Sequence, residues 1–138
     1  MIYSDFNPLI ALGIVIAGGF GAVLRFYLAS MSGKLPWGIL IANIMGSFLA
    51  GYAGNLNVQH GWAVYQEQAE VTTLVVLSAI VSVGLAGGLS TFSSFAAGTV
   101  ELFRSGKVTH GLLNILLNFT LPPIALLLGV SMALSLLK

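Results

Sequence analysis

The sequence predicts an all-α membrane protein of four transmembrane helices, the third of them broken. Composition leads there first. Of 138 residues, 57% are hydrophobic and only 7% charged, whereas a soluble domain carries about 25% charged residues. The hydrophobic fraction is roughly 79 residues, about what four spans of about 20 residues would consume. The third observation is an apolar segment too long for one span and interrupted by glycines and hydroxyl residues. This balance excludes a soluble enzyme, a nucleic-acid binder with a basic face and a disordered tail. The chain reads as a single integral membrane domain, residues 1–138, multi-pass in the cell inner or plasma membrane and surrounded by lipid.

The first span is expected over residues 8–28, with Gly13, Gly18, Gly19 and Gly21 letting a neighbouring helix approach closely. Met1 to Pro8 holds Asp5 and no Lys or Arg, so the run reads as a permanent span rather than a signal peptide. Arg25 sits near its end, where a long side chain reaches toward the interface. Trp37 marks entry into the second span, residues 37–54, as interfacial aromatics do. One face of that span carries Asn43, Ser47 and Gly51 at four-residue spacing, and Gly46 and Gly54 lie on another.

Asn55 to Glu70 is the most polar stretch and reads as an aqueous loop. The third apolar segment, residues 71–103, would make a helix of about 50 Å, against about 30 Å of hydrocarbon. Its middle, Gly84-Leu-Ala-Gly87-Gly88-Leu-Ser90-Thr91-Phe92-Ser93-Ser94-Phe95, predicts a helix that breaks near 87–91 and restarts, capped by Ser90 or Thr91. Backbone exposed at that depth survives only when buried in protein or lining a wet cavity. Arg104 to His110 reads as a short basic loop. The fourth span, residues 112–137, contains Asn114, Asn118, Thr120 and a Pro122-Pro123 pair that should kink it.

The sequence offers no enzyme constellation. There is no cysteine, and His60 and His110 have no partner at ligand spacing. Gly18-Gly19-Phe20-Gly21 lies in an apolar span without a preceding strand, so helix packing explains it better than phosphate binding. Asn118-Phe119-Thr120 matches a glycosylation sequon by chance, since it falls inside a span. Asn43 either glues helices together or offers its NH₂ to a permeating anion. The hydroxyls of Ser90, Thr91, Ser93 and Ser94 either bond back to their own helix or line a path. Phe92 and Phe95 share a face; such a pair is ordinary core, yet a ring edge is electropositive and attracts an anion.

Taken together these residues resemble the small fluoride channels of the Fluc or CrcB type. The matching runs are Gly18-Gly19-x-Gly21-Ala22-x-x-Arg25-Phe26, Pro36-Trp37-Gly38-Ile39-Leu40-x-x-Asn43 with Gly46, and Gly84-x-x-Gly87-Gly88-Leu89-Ser90-Thr91-Phe92-Ser93-Ser94-Phe95. The resemblance covers the first three helices, and the fourth matches poorly. It implies an antiparallel, dual-topology dimer enclosing two pores for passive, fluoride-selective export, which lowers cytoplasmic fluoride toxicity. It further implies that Phe92 and Phe95 line the pore edge-on, that Asn43 donates to fluoride, and that Thr91 and Ser94 approach the ion path. Arg25 would form an electropositive vestibule. Backbone carbonyls of Gly87 and Ser90 from both subunits would hold a structural Na⁺ ion.

Two departures stand out. Where the family usually has a glutamate, three residues after the second phenylalanine, this chain has Gly98, with Glu101 one turn further on. The polar track of the family's fourth helix, aligned on Gly129, reads Asn118, Pro122 and Leu126; Asn114, Asn118 and Thr120 could rebuild it in another register. Topology adds a further expectation. Arg25, Lys34, Arg104 and Lys107 fall on one side of a four-span chain and Lys138 on the other. The dimer partner is a second copy or a homologous subunit of opposite orientation; an antiparallel homodimer needs near balance, and this bias points toward the second. The rival readings are a small four-helix multidrug or cation antiporter, for which only Glu101 offers a carboxylate, and a non-conducting partner subunit of a heterodimeric fluoride channel.

Overall fold

The structure, a computed structural model, describes residues 8–136 apart from 32 and 68–72. Asp5, Gln68, Glu70, Val71 and Lys138 therefore lie outside the described residues, as do the side chains of Gln59 and His60. The described chain is helical: α1 (Pro8–Ala29), α2 (Trp37–Glu67), α3 (Thr73–Ala79), a π-helical segment (Ile80–Leu85), α4 (Ala86–Leu89), α5 (Phe92–Arg104) and α6 (Val108–Ser135). Four stretches are long and apolar enough to cross a membrane: Pro8–Ala29, Trp37–Leu56, Thr73–Arg104 and Val108–Ser135.

Three boundaries differ from the sequence expectation. Residues 55–67 are not a loop, because α2 stays helical to Glu67. Polarity reports what surrounds the side chains; a proline-free stretch still satisfies its backbone within a helix. Likewise 104–110 is not a loop, because α6 begins at Val108 rather than at residue 112. The turn is shortened by a Schellman motif closing α5: Gly106 adopts φ 75°, its N–H donates to Phe103 O at 3.0 Å, and Lys107 N–H donates to Leu102 O at 2.9 Å. Glycine takes that left-handed conformation without a Cβ penalty. Finally, the third span departs from α geometry at Ile80–Leu85, ten residues before Ser90, which no residue pattern signalled.

Packing follows the small residues. α2 lies along α6, α1 crosses the π-helical segment and α4, and α5 packs on α6. The buried apolar set includes Ala42, Ala53, Ala86, Ala125 and Ala133 beside Leu40, Leu89 and Phe95. In lipid no hydrophobic force draws helices together, so close backbone approach carries the association. One close approach joins α1 to α4. A Cβ placed on Gly88 would lie 2.8 Å from the carbonyl carbon of Gly18 and 2.9 Å from its Cα. Gly21 is buried against the backbone of Leu85 and Leu89 in the same crossing. The opposite surface of α1, including Leu12, Val15, Ile16, Phe20, Val23 and Phe26, is exposed, as befits a face turned to lipid or to another chain.

α6 continues as one helix through Pro122 and Pro123. Two amide donors are missing there, so the carbonyls of Asn118 and Phe119 have no helical partner.

The packing and the cap of α5 set three stability outcomes. Gly88→Ala forces backbone apart and should lower unfolding stability in detergent by about 1–3 kcal/mol. Gly54→Ala, whose Cβ would meet only Ser82 Cβ at 3.9 Å, should leave the unfolding midpoint unchanged. Thr91→Val removes the side chain that accepts from Ser94 N–H at the start of α5 and should cost about 1 kcal/mol, with Thr91→Ser restoring it.

Candidate functional site: the junction between α4 and α5

The site is built around two extended residues. Ser90 has φ −78° and ψ 147°, and Thr91 has φ −156° and ψ 124°. The last bond of α4 is Ser90 N–H to Ala86 O at 3.0 Å. The next donor in line, Thr91 N–H, turns away from Gly87 O and donates to Asn43 Oδ1 at 2.8 Å. Ser94 N–H donates to Thr91 Oγ1 at 3.3 Å, so Thr91 is the N-cap of α5. Its hydroxyl also lies 3.1 Å from Ser93 Oγ and 3.5 Å from Ser94 Oγ. Gly46, one turn from Asn43, lets the junction lie against α2: a Cβ there would sit 2.9 Å from Ser90 Cβ and 3.1 Å from Ser90 N.

From Asn43 a line of polar groups runs along α6. Asn43 Nδ2 donates to Asn118 Oδ1 at 2.9 Å. Asn118 Nδ2 donates to Asn114 Oδ1 at 3.1 Å and to Asn114 O at 3.0 Å. Asn114 Nδ2 donates to Thr99 Oγ1 at 2.8 Å, and Thr99 Oγ1 donates to Phe95 O at 2.8 Å. Asn43 is therefore helix glue, joining α2 to α5 and α6. Each amide NH₂ has two hydrogens, and one of those on Asn43 has no acceptor among the described residues.

A cavity of about 240 Å³ opens on this line, bounded by Asn43, Ser47, Ser90, Thr91, Phe92, Phe95, Asn118, Phe119 and Pro122. It brings together eight residues singled out in the sequence: Asn43, Ser90, Thr91, Phe92 and Phe95 of the expected site, with Ser47, Asn118 and Pro122. The rings of Phe92 and Phe95 are 5.5 Å apart and tilted by 60°. Phe95 is buried and Phe92 is 72% exposed. Phe119 meets Phe95 edge-to-face at 5.9 Å. Sequence reasoning missed Phe119 as a wall residue, although it is the only aromatic of the fourth span and follows Asn118.

Other expected residues lie elsewhere. Ser94, Arg25 and Gly87 do not line this cavity. Arg25 is half-buried on α1, and Gly87 is exposed, with open space around its Cα. Thr120 does not rebuild the polar track, because its hydroxyl donates to Leu116 O of its own helix at 2.8 Å. Leu126 packs its backbone on Gly51. A Cβ placed on Gly98 would lie 3.5 Å from Pro36 Cγ. Glu101 is exposed in a separate pocket with Lys34 and Lys107 and is not among the residues lining the Asn43 cavity. Among the described residues no three His, Cys, Asp or Glu side chains gather as metal ligands.

Comparison with known proteins identifies the group to which this architecture belongs. Residues 12–130 match the family described as CrcB-like protein, Camphor Resistance (CrcB). A protein of Methylobacterium radiotolerans named fluoride-specific ion channel FluC is 32% identical over 84% of this chain and 78% of its own length. Proteins of the same name from Parabacteroides distasonis and Renibacterium salmoninarum are 34% and 35% identical, over 85% and 91% of this chain and 87% and 99% of theirs. These relatives are named as ion channels, not enzymes. The chain is a multi-pass membrane protein and belongs to the CrcB family.

Proposed function

We propose that this chain forms a fluoride-selective passive channel, with the Asn43 cavity on the ion path. The observation that carries the reading is the cavity wall: neutral amide, hydroxyl and aromatic groups, with no carboxylate among them. Fluoride is small and tightly hydrated, so a pore that strips its water must supply replacement donors. Neutral donors do this without holding the ion too firmly to leave. The free N–H of Asn43 is one such donor, the hydroxyls of Ser90 and Thr91 are others, and Ser94 stands within reach of Thr91. The edges of Phe92 and Phe95 add positive quadrupole and a steric limit against larger chloride. Arg25 supplies positive charge at the approach, as a vestibule residue. The break of the third helix inside the membrane is what exposes these groups to an ion. The names of the relatives support the same substrate, and passive export of fluoride to lower its toxicity is the role that follows.

The functional unit in this proposal is an antiparallel, dual-topology dimer, with the second chain covering Phe92 and the exposed face of α1. The surplus of Lys and Arg on one side favours a homologous subunit of opposite orientation over a second copy. A structural Na⁺ fits the junction. The helical donor to Gly87 O is Thr91 N–H, committed to Asn43; the donor to Ser90 O would be Ser94 N–H, committed to Thr91 Oγ1. Both carbonyls are thus left as hard oxygen acceptors, and Gly87 faces outward. The ion would supply fixed positive charge beside the path and a link between subunits.

Fluoride efflux from liposomes tests the proposal, with the chain alone and co-expressed with a homologue of opposite charge bias. Fluoride should leave while chloride stays, and Phe92→Ile should abolish the flux. Silence from well-folded protein in both compositions defeats the channel reading. Glu101→Gln should leave fluoride flux intact; loss of proton-coupled cation export in that variant would instead establish the antiporter. Replacing Na⁺ by N-methylglucamine throughout purification should lower dimer content in size-exclusion chromatography, and an unchanged profile removes the sodium.

A further inference from the structure

Two polar side chains that do not line the cavity are the most deeply buried polar ones among the described residues. Asn114 is 2% exposed and Thr99 is 6% exposed. They terminate the hydrogen-bonded line that starts at the helix junction: Thr91 N–H to Asn43, Asn43 to Asn118, Asn118 to Asn114, Asn114 to Thr99, and Thr99 to Phe95 O. The two ends are backbone groups with no choice of role. Thr91 N–H only donates, and the Phe95 carbonyl only accepts. Every member between them must therefore run the same way, accepting from one neighbour and donating to the next. Flipping one amide would set N–H against N–H on one side and oxygen against oxygen on the other.

Direction matters because an asparagine amide presents either donors or an acceptor to whatever lies in front of it. With Asn43 Oδ1 held by Thr91 N–H and one Nδ2 hydrogen held by Asn118, the remaining Nδ2 hydrogen is the group left for the cavity. Turned over, Asn43 would offer its oxygen, which repels an anion. We propose that Asn114 and Thr99 are positioning residues that fix the amide direction of Asn118 and Asn43, and thereby keep the cavity selective for a strongly hydrated anion. This inference rests on the channel reading above. The Thr99 hydroxyl acts as the anchor: it accepts from Asn114 and passes the direction to the Phe95 carbonyl. Asn118 Nδ2 also donates to the Asn114 backbone carbonyl at 3.0 Å, so without the Thr99 hydroxyl the Asn114 amide keeps no fixed acceptor and the direction of Asn118 and Asn43 rests on that bond and on Thr91 N–H alone.

The measurement compares fluoride and chloride efflux from liposomes for wild type, Thr99→Val, Thr99→Ser and Asn114→Leu, in whichever composition, alone or paired, moves fluoride. Thr99→Val keeps the side-chain shape and removes the hydroxyl; Asn114→Leu breaks the same link from α6, so the reading holds for either variant that folds by size-exclusion. Fluoride flux should fall about tenfold, the scale of one buried hydrogen bond, and the fluoride-to-chloride ratio should fall with it, while Thr99→Ser restores both. Variants that keep both rate and ratio overturn the inference and leave the channel reading intact. A lower rate at unchanged ratio also overturns it, since that reports only a weakened fold. Wild-type silence in both compositions defeats the channel reading and this inference together.

Discussion

The hydrogen bond from Thr91 N–H to Asn43 Oδ1 is the constraint on which the site depends. Two extended residues between α4 and α5 leave backbone groups without helical partners, and inside a membrane each such group costs several kcal/mol if nothing meets it. A carbonyl oxygen on a neighbouring helix is the economical remedy. Asparagine supplies one on a short side chain while keeping two donors for other uses. Its reach requires the junction to lie directly on α2, and Gly46 opens the space for that contact. The polar residue and the small residue are therefore parts of one solution. The donor left over on Asn43 faces the space that the break creates.

The same economy explains why so few polar groups suffice. The amides of Asn43, Asn118 and Asn114 and the hydroxyl of Thr99 satisfy one another across three helices. Each is costly alone in an apolar bundle and inexpensive in company. The alternatives weighed for Asn43 are compatible for this reason: one hydrogen and the oxygen bind helices, and the second hydrogen remains. Thr91 divides its work in a similar way, capping α5 while standing on the cavity wall.

Around this line, the fold is held by contact between small residues rather than by large side chains. Gly18 and Gly88 bring α1 against α4, and Gly51 and Gly129 bring α2 against α6. Large apolar side chains point outward instead, among them Phe20, Phe26, Phe92 and Leu127. That inversion of the soluble pattern reflects a solvent as apolar as leucine.

Much of this was legible in the residues themselves. Four spans follow from apolar length against bilayer thickness, and the Gly87-to-Ser94 run carries its own sign of a helix that stops and restarts at a cap, Ser90 or Thr91, of which the fold uses Thr91. Asn43, Ser47 and Gly51 declared their shared helix face by spacing. What the residues could not declare was decided by neighbours far off in sequence. The continuation of α2 to Glu67 was hidden because polarity describes surroundings and not backbone hydrogen bonding. The π-helical segment arises where α1 crosses the third span, and Gly84 there meets Ile14 and Ala17. Phe119 became a wall of the cavity, and Thr120 did not, because helix rotation is fixed by tertiary packing rather than by residue type. Nothing in the order of residues aligns Asn114 with Thr99 or gives the amides a direction. Only the folded bundle, by placing a backbone donor at one end and a backbone acceptor at the other, makes that choice.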